Sequence, residues 1–83
     1  MKSSTKKRIL VFDEKGLKAF ALQLKKVRKR KNFTQEKLAY ESGLALSQIA
    51  RIETAKTNPT LSTIFIIART LDVDLKELFD FKI

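Results

Sequence analysis

The 83-residue sequence contains no cysteine and no histidine. Without cysteine, no disulfide braces the fold and no thiol does chemistry. Without histidine, the commonest general base and the commonest zinc ligand are both missing. Glycine occurs twice, at Gly16 and Gly43, so there is no Gly-rich phosphate loop. Long apolar runs are absent as well, and nothing approaches the roughly 20 apolar residues of a membrane span. The run Ile9–Phe12 follows a basic stretch but stops at Asp13, too short for the h-region of a signal peptide. A cytoplasmic protein is therefore expected. Serines and threonines have no histidine base, and Asp72, Asp74 and Asp80, though close together, lack the spacing of a metal loop. Neither an enzyme nor a cofactor or metal is expected.

What the chain has in excess is positive charge. It carries 18 basic and 9 acidic side chains, a net charge of +9. The excess is one-sided: residues 1–33 hold 12 basic and 2 acidic side chains, whereas residues 34–83 hold 6 basic and 7 acidic ones. Such asymmetry points to a polyanion along one side, most often nucleic acid. An anionic membrane surface, an acidic protein or a merely solvated basic surface would also satisfy the charge alone.

The length allows one domain. Residues 1–12 read as a basic and apolar N-terminal arm, with Lys2, Lys6, Lys7 and Arg8 before Ile9–Phe12, and residues 13–83 as the domain. Asp13 is a suitable cap for a helix to about Lys31, in which Leu17, Phe20, Ala21, Leu24 and Val27 form one apolar stripe. Asn32 tolerates the left-handed conformation that closes a helix. Thr34 can cap a second helix over 35–42, with Phe33 as a hydrophobic staple on Leu38. Gly43 ends it. A third helix spans about 46–54 with Ile49 and Ile52 inward, but its cap position is Ala45, which cannot accept a bond from the backbone. After the polar loop Ala55–Pro59, Thr60 caps a helix over about 61–71. Asp74, with Glu77 completing a capping box, starts another over about 75–80. This predicts an all-α fold.

Two short helices across a glycine-containing turn make a helix-turn-helix unit, which lays one helix in the DNA major groove. The residues then carry a resemblance. The run LKKVRKRKNFTQEKLA, then SGLALSQIARIE, then NPTLSTIFIIARTLDVDLKELF, resembles the Cro/C1-type helix-turn-helix repressors, the Xre family, over residues 24–79. Gln35, Leu38–Ala39, Gly43, Ile49, Ile52–Glu53, Asn58–Pro59 and Leu78–Phe79 stand where that family has them. The resemblance implies a five-helix lambda-repressor-like DNA-binding domain with Ala45–Thr54 holding the recognition helix. It implies that Gln35, beside the cap Thr34, contacts phosphate or a base edge, and that Ala45, Leu46, Ser47, Ala50 and Arg51 face the groove. Lys56, Thr57 and Asn58 would lie along phosphates. Arg28 and Glu53 match an ion pair of relatives, with Arg28 also able to face phosphate.

Of these, Arg51 is the strongest reader by chemistry, because a guanidinium can bond guanine O6 and N7 together. Ser47 discriminates less, and Ala45 and Leu46 can meet only thymine methyl groups. Ala45 stands where the family usually has serine, and Ala55 where glycine is more usual.

Surplus apolar residues at Phe65, Ile66, Phe81 and Ile83 mean either that the tails fold back over the fourth helix or, the favoured reading, that these surfaces form a homodimer, which would read a palindromic operator in double-stranded DNA. Phe79, Phe81 and Ile83 alternate, so a short strand against Ile9–Phe12, within one chain or between two, is a specific possibility. The resulting expectation is a transcriptional regulator that represses by occlusion. The alternative is an antitoxin or other protein-interaction module, with a toxin as partner and DNA binding secondary.

Overall fold

In a computed structural model, residues 11–83 are described, and they form five helices. These are α1 (Glu14–Arg30), α2 (Gln35–Ser42), α3 (Leu46–Glu53), α4 (Leu61–Leu71) and α5 (Leu75–Leu78). No strand occurs among the described residues. Residues Lys2–Arg8 of the basic arm, and Ile9 and Leu10 of the apolar run, lie outside them.

The starts follow from side-chain chemistry. Asp13 Oδ1 accepts from the Gly16 N–H at 3.0 Å, Thr34 Oγ1 from Lys37 N–H at 2.9 Å, and Thr60 Oγ1 from Thr63 N–H at 3.2 Å. Each satisfies one of the N–H groups that a helix start leaves without a partner. Helix α3 has no such bond, as expected of Ala45. At α5 the Glu77 carboxylate accepts from the Asp74 N–H at 3.3 Å.

Three helices end in the same backbone device. Past α1, Asn32 takes φ 64°, with Phe33 N–H donating to Arg28 O at 3.0 Å and Asn32 N–H to Lys29 O at 2.9 Å. Past α3, Ala55 takes φ 58°, with Lys56 N–H donating to Arg51 O and Ala55 N–H to Ile52 O. Past α4, Asp72 takes φ 57°, with Val73 and Asp72 donating to Ala68 O and Arg69 O. These crossed bonds are the Schellman arrangement, and they use a left-handed residue that is not glycine in all three cases.

The core takes its residues from every helix: Phe20, Leu24 and Val27 of α1, Leu38 of α2, Ile49 and Ile52 of α3, Ile64, Ile67 and Leu71 of α4, and Leu78 of α5. Phe33 and Ala39 pack against it. Helix α3 packs on α1 and α2, α4 on α2, and α5 on α1 and α4.

The C-terminal end departs from expectation. Helix α5 stops at Leu78, and residues 79–83 form no strand. Phe79 and Phe81 instead close over Phe20, with ring centroids 5.2 Å and 6.4 Å from it. Three rings in one cluster bury apolar area that an extended tail would leave in water.

Candidate nucleic-acid interface

The α2–turn–α3 unit is built around Gly43. Its φ of 80° is the left-handed turn that ends α2, and its N–H donates to Ala39 O at 3.0 Å. A Cβ there would meet nothing within 4 Å, so glycine is favoured by the backbone angle and not by crowding. Ser42 Oγ accepts from Leu44 N–H at 3.1 Å, holding the far side of the turn.

Ile49 and Ile52 anchor α3 in the core, and this decides what the helix presents outward. Ala45, Leu46, Ser47 and Arg51 are exposed, and Ala50 is half-buried. Leu46 is 43% exposed, on the outside of the helix and not in the core. Gln48 was missed by the sequence reading. It is half-buried and stands three residues before Arg51 and three after Ala45, so it borders the same face. That spacing was the available signal.

Around α3 the other expected residues take different positions. Thr34 is exposed and Gln35 half-buried at the start of α2. Lys56 is exposed and Thr57 half-buried in the loop after α3. Asn58 is exposed, but its Nδ2 donates toward Val11 O at 3.4 Å.

Arg28, expected to pair with Glu53 and able to face phosphate, is turned into the domain. It is 6% exposed, and all three of its guanidinium nitrogens are engaged inside the domain. Nε donates to Glu53 Oε2 at 2.6 Å, one terminal nitrogen to Glu53 Oε1 at 2.9 Å, and the other to Phe33 O at 2.7 Å. Glu53 is itself 3% exposed, and Gln35 Nε2 donates to its Oε1 at 2.9 Å. The expected ion pair is present, and together with the bond to Phe33 O it engages three of the five guanidinium N–H groups. Among the other basic residues near the end of α1, Arg30 pairs with Glu77, while Lys29 is exposed.

Phe65 lies apart from Phe81 and Ile83, and Ile66 is half-buried on α4. Phe65 lines a groove with Val73 and Leu75 between α4 and α5. Phe81 and Ile83 line a different groove of about 300 Å³ with Leu17, Pro59, Leu61 and Phe79. There, Leu61 is 66% exposed, Phe79 46% and Ile83 78%, which makes this the larger display of uncovered apolar side chains. Leu61 was not singled out from the sequence, and Phe79 only for its place in the family pattern and in the alternating tail.

With this arrangement in place, residues 24–78 match the helix-turn-helix family HTH_3, more than half of the chain. The chain belongs to that helix-turn-helix family. This helix-turn-helix protein is 43% identical over 54 residues to the HTH-type transcriptional regulator SlrR of Bacillus subtilis, a match covering 64% of this chain and 36% of SlrR. It thus spans about a third of that relative's length. It is also 34% identical over 59 residues to an HTH-type transcriptional regulator of Archaeoglobus fulgidus, covering 71% of this chain and 83% of that one. Among solved structures it is similar to the restriction-modification controller protein C.AhdI of Aeromonas hydrophila. That likeness has a TM-score of 0.73 and 36% identity, over 76% of this chain and 96% of the other. The controller protein C.Esp1396I, solved as a tetramer in complex with its natural 35 base-pair operator, matches with a TM-score of 0.71 and 34% identity, over 77% and 84% of the two chains. Among the described residues no helix is long and apolar enough to cross a membrane.

Proposed function

We propose that this helix-turn-helix protein is a transcriptional regulator that binds double-stranded DNA with α3 in the major groove and represses by occluding the promoter. The observation that carries the reading is the outward face of α3, with Ser47 and Arg51 exposed while Ile49 and Ile52 lock the helix to the core. A helix held this rigidly presents its side chains in fixed register, which base readout requires. Arg51 reads a guanine edge, Ser47 and Gln48 add shorter-range contacts, and Ala45, Leu46 and Ala50 allow close approach to thymine methyl groups. Thr34 and Gln35 on one side, and Lys56, Thr57 and Asn58 on the other, bond phosphates and set the register.

The protein acts as a homodimer on a palindromic operator in the cytoplasm, as a binding protein with no reaction of its own. Relatives named as transcriptional regulators, and a controller protein solved on its operator, support this reading. The exposed apolar groove at Leu61, Phe79 and Ile83 supports self-association. A +9 charge lowers the barrier to approaching any duplex, and charge of that kind makes affinity salt-dependent without choosing sequence.

Selection from random duplexes at low and at physiological salt tests the proposal. Enrichment of an inverted repeat that survives physiological salt is expected. Binding that enriches nothing and vanishes as salt rises would leave a charged surface without a reader, and would turn attention to a protein partner such as a toxin.

A further inference from the structure

Gln35 ends in a neutral amide, and a long side chain near a helix start is ordinarily free to sample several rotamers. Here it is held. Its Nε2 donates to Glu53 Oε1 at 2.9 Å, across from the start of α2 to the end of α3. The carboxylate is in turn fixed by two bonds from Arg28 of α1, and Arg28 also donates to Phe33 O, just before the Thr34 cap. One buried carboxylate therefore ties α1, the start of α2 and the end of α3 together.

The direction of the Gln35 bond matters chemically. An amide nitrogen carries two hydrogens, and a carboxylate only accepts. Anchoring Nε2 on Glu53 decides which way round the amide sits and leaves its second N–H uncommitted. A phosphate oxygen is an acceptor and takes that N–H. Arg28 cancels the charge of Glu53, so the carboxylate can serve near a phosphate without repelling it.

We propose that Glu53 is a positioning residue for phosphate recognition, orienting Gln35 so that its second Nε2 hydrogen meets the DNA backbone. This rests on reading α2 and α3 as the DNA-binding unit. A purely structural Glu53 would set stability and leave the contribution of Gln35 untouched.

The test is a double-mutant cycle on the full chain, measured as affinity for a selected duplex. Removing Glu53 alone strands a buried cation, which can unfold a small domain. Both partners are therefore replaced, as Arg28→Met with Glu53→Met, alone and together with Gln35→Ala. Gln35→Ala and the paired replacement are each expected to weaken binding by about fivefold per subunit, the worth of one ordinary hydrogen bond. Adding Gln35→Ala to the paired replacement should weaken it no further. Fully multiplicative losses would overturn the proposal. So would a salt dependence made shallower by about one phosphate contact in the paired replacement, which would assign the loss to Arg28 itself.

If the paired replacement does not fold, the side-chain amide resonances of Gln35 in the wild-type protein, free and with duplex, decide. One Nε2 proton is expected to be displaced from the ordinary glutamine position and protected from solvent exchange, and the other to shift when duplex is added. Two protons at ordinary glutamine positions that exchange freely, or a second proton that does not respond to duplex, overturns the proposal. Failure of the wild type to bind any duplex would overturn the DNA-binding reading and this proposal with it, and is distinguished by occurring without any substitution.

Discussion

At the scale of single residues, Arg51 and Ala55 show how much one side chain can decide. Arg51 is the one exposed guanidinium on α3, and its fork can satisfy two acceptors of one guanine. Arg51→Ala should cost about 1–3 kcal/mol of discrimination at one position in each half-site. A binding-site selection whose preference is unchanged would remove Arg51 as a reader. Ala55 sits at φ 58°, a conformation in which Cβ crowds the backbone. The sequence already marked it as a departure from glycine, and the Schellman bonds at Lys56 and Ala55 explain why the angle persists: they satisfy the last carbonyls of α3. Ala55→Gly should therefore stabilise the fold by about 1 kcal/mol, less a few tenths for the looser unfolded chain. Thermal denaturation reads this directly; a lowered midpoint would show that the strain is absorbed elsewhere.

At the scale of elements, the weak point is the opening of α3 and the tuned point is α5. Ala45 supplies no side-chain bond to the first turn of α3, the turn proposed to enter the groove. Ala45→Ser should raise stability by about 1 kcal/mol by capping one free N–H. Amide hydrogen exchange in the first turn of α3 should slow correspondingly, and unchanged exchange would refute the cap. At α5 the Glu77 carboxylate is held below its ordinary value of 4.5, chiefly by the bond from the Asp74 N–H, with a further contribution from Arg30. A depressed carboxylate contributes stability above its unfolded value and loses it as pH falls through the folded one. Stability should thus decline as pH is lowered below about 4.5, and Glu77→Gln should flatten that decline. An identical acid limb in both proteins would assign the acid sensitivity to other carboxylates.

At the scale of the whole molecule, the two apolar grooves raise the question of assembly. A small domain that leaves Leu61, Phe79 and Ile83 uncovered around one groove has an unspent source of burial free energy. Leu61→Glu should shift sedimentation from dimer toward monomer, whereas Phe65→Glu, in the other groove, should not. The reverse result would place the interface between α4 and α5. Loss of the dimer should also cost the inverted-repeat preference, because one recognition helix reads only one half-site.

Much of the local structure was legible in the sequence, because local signals are short-range. Asp13, Thr34 and Thr60 announced three helix starts, Gly43 and Asn32 two helix ends, and the apolar spacing in α1 and α3 named the core faces. Each depends on neighbours within about one helical turn, where periodicity and capping act. The family resemblance named α3 as the candidate reader for the same reason: its motif is local. Only the tertiary structure decided the rest. The pairing of Arg28 with Glu53 was implied by the resemblance alone, since they lie 25 residues apart, and their burial, which turns Arg28 inward, follows from how α1 meets α3. The bond from Gln35 to Glu53 spans 18 residues, and no local pattern encodes it. The fate of Phe79 and Phe81 turned on the presence of Phe20 beneath them. An alternating tail reads as a strand when seen alone, but burial against a distant ring outweighs a weak local preference.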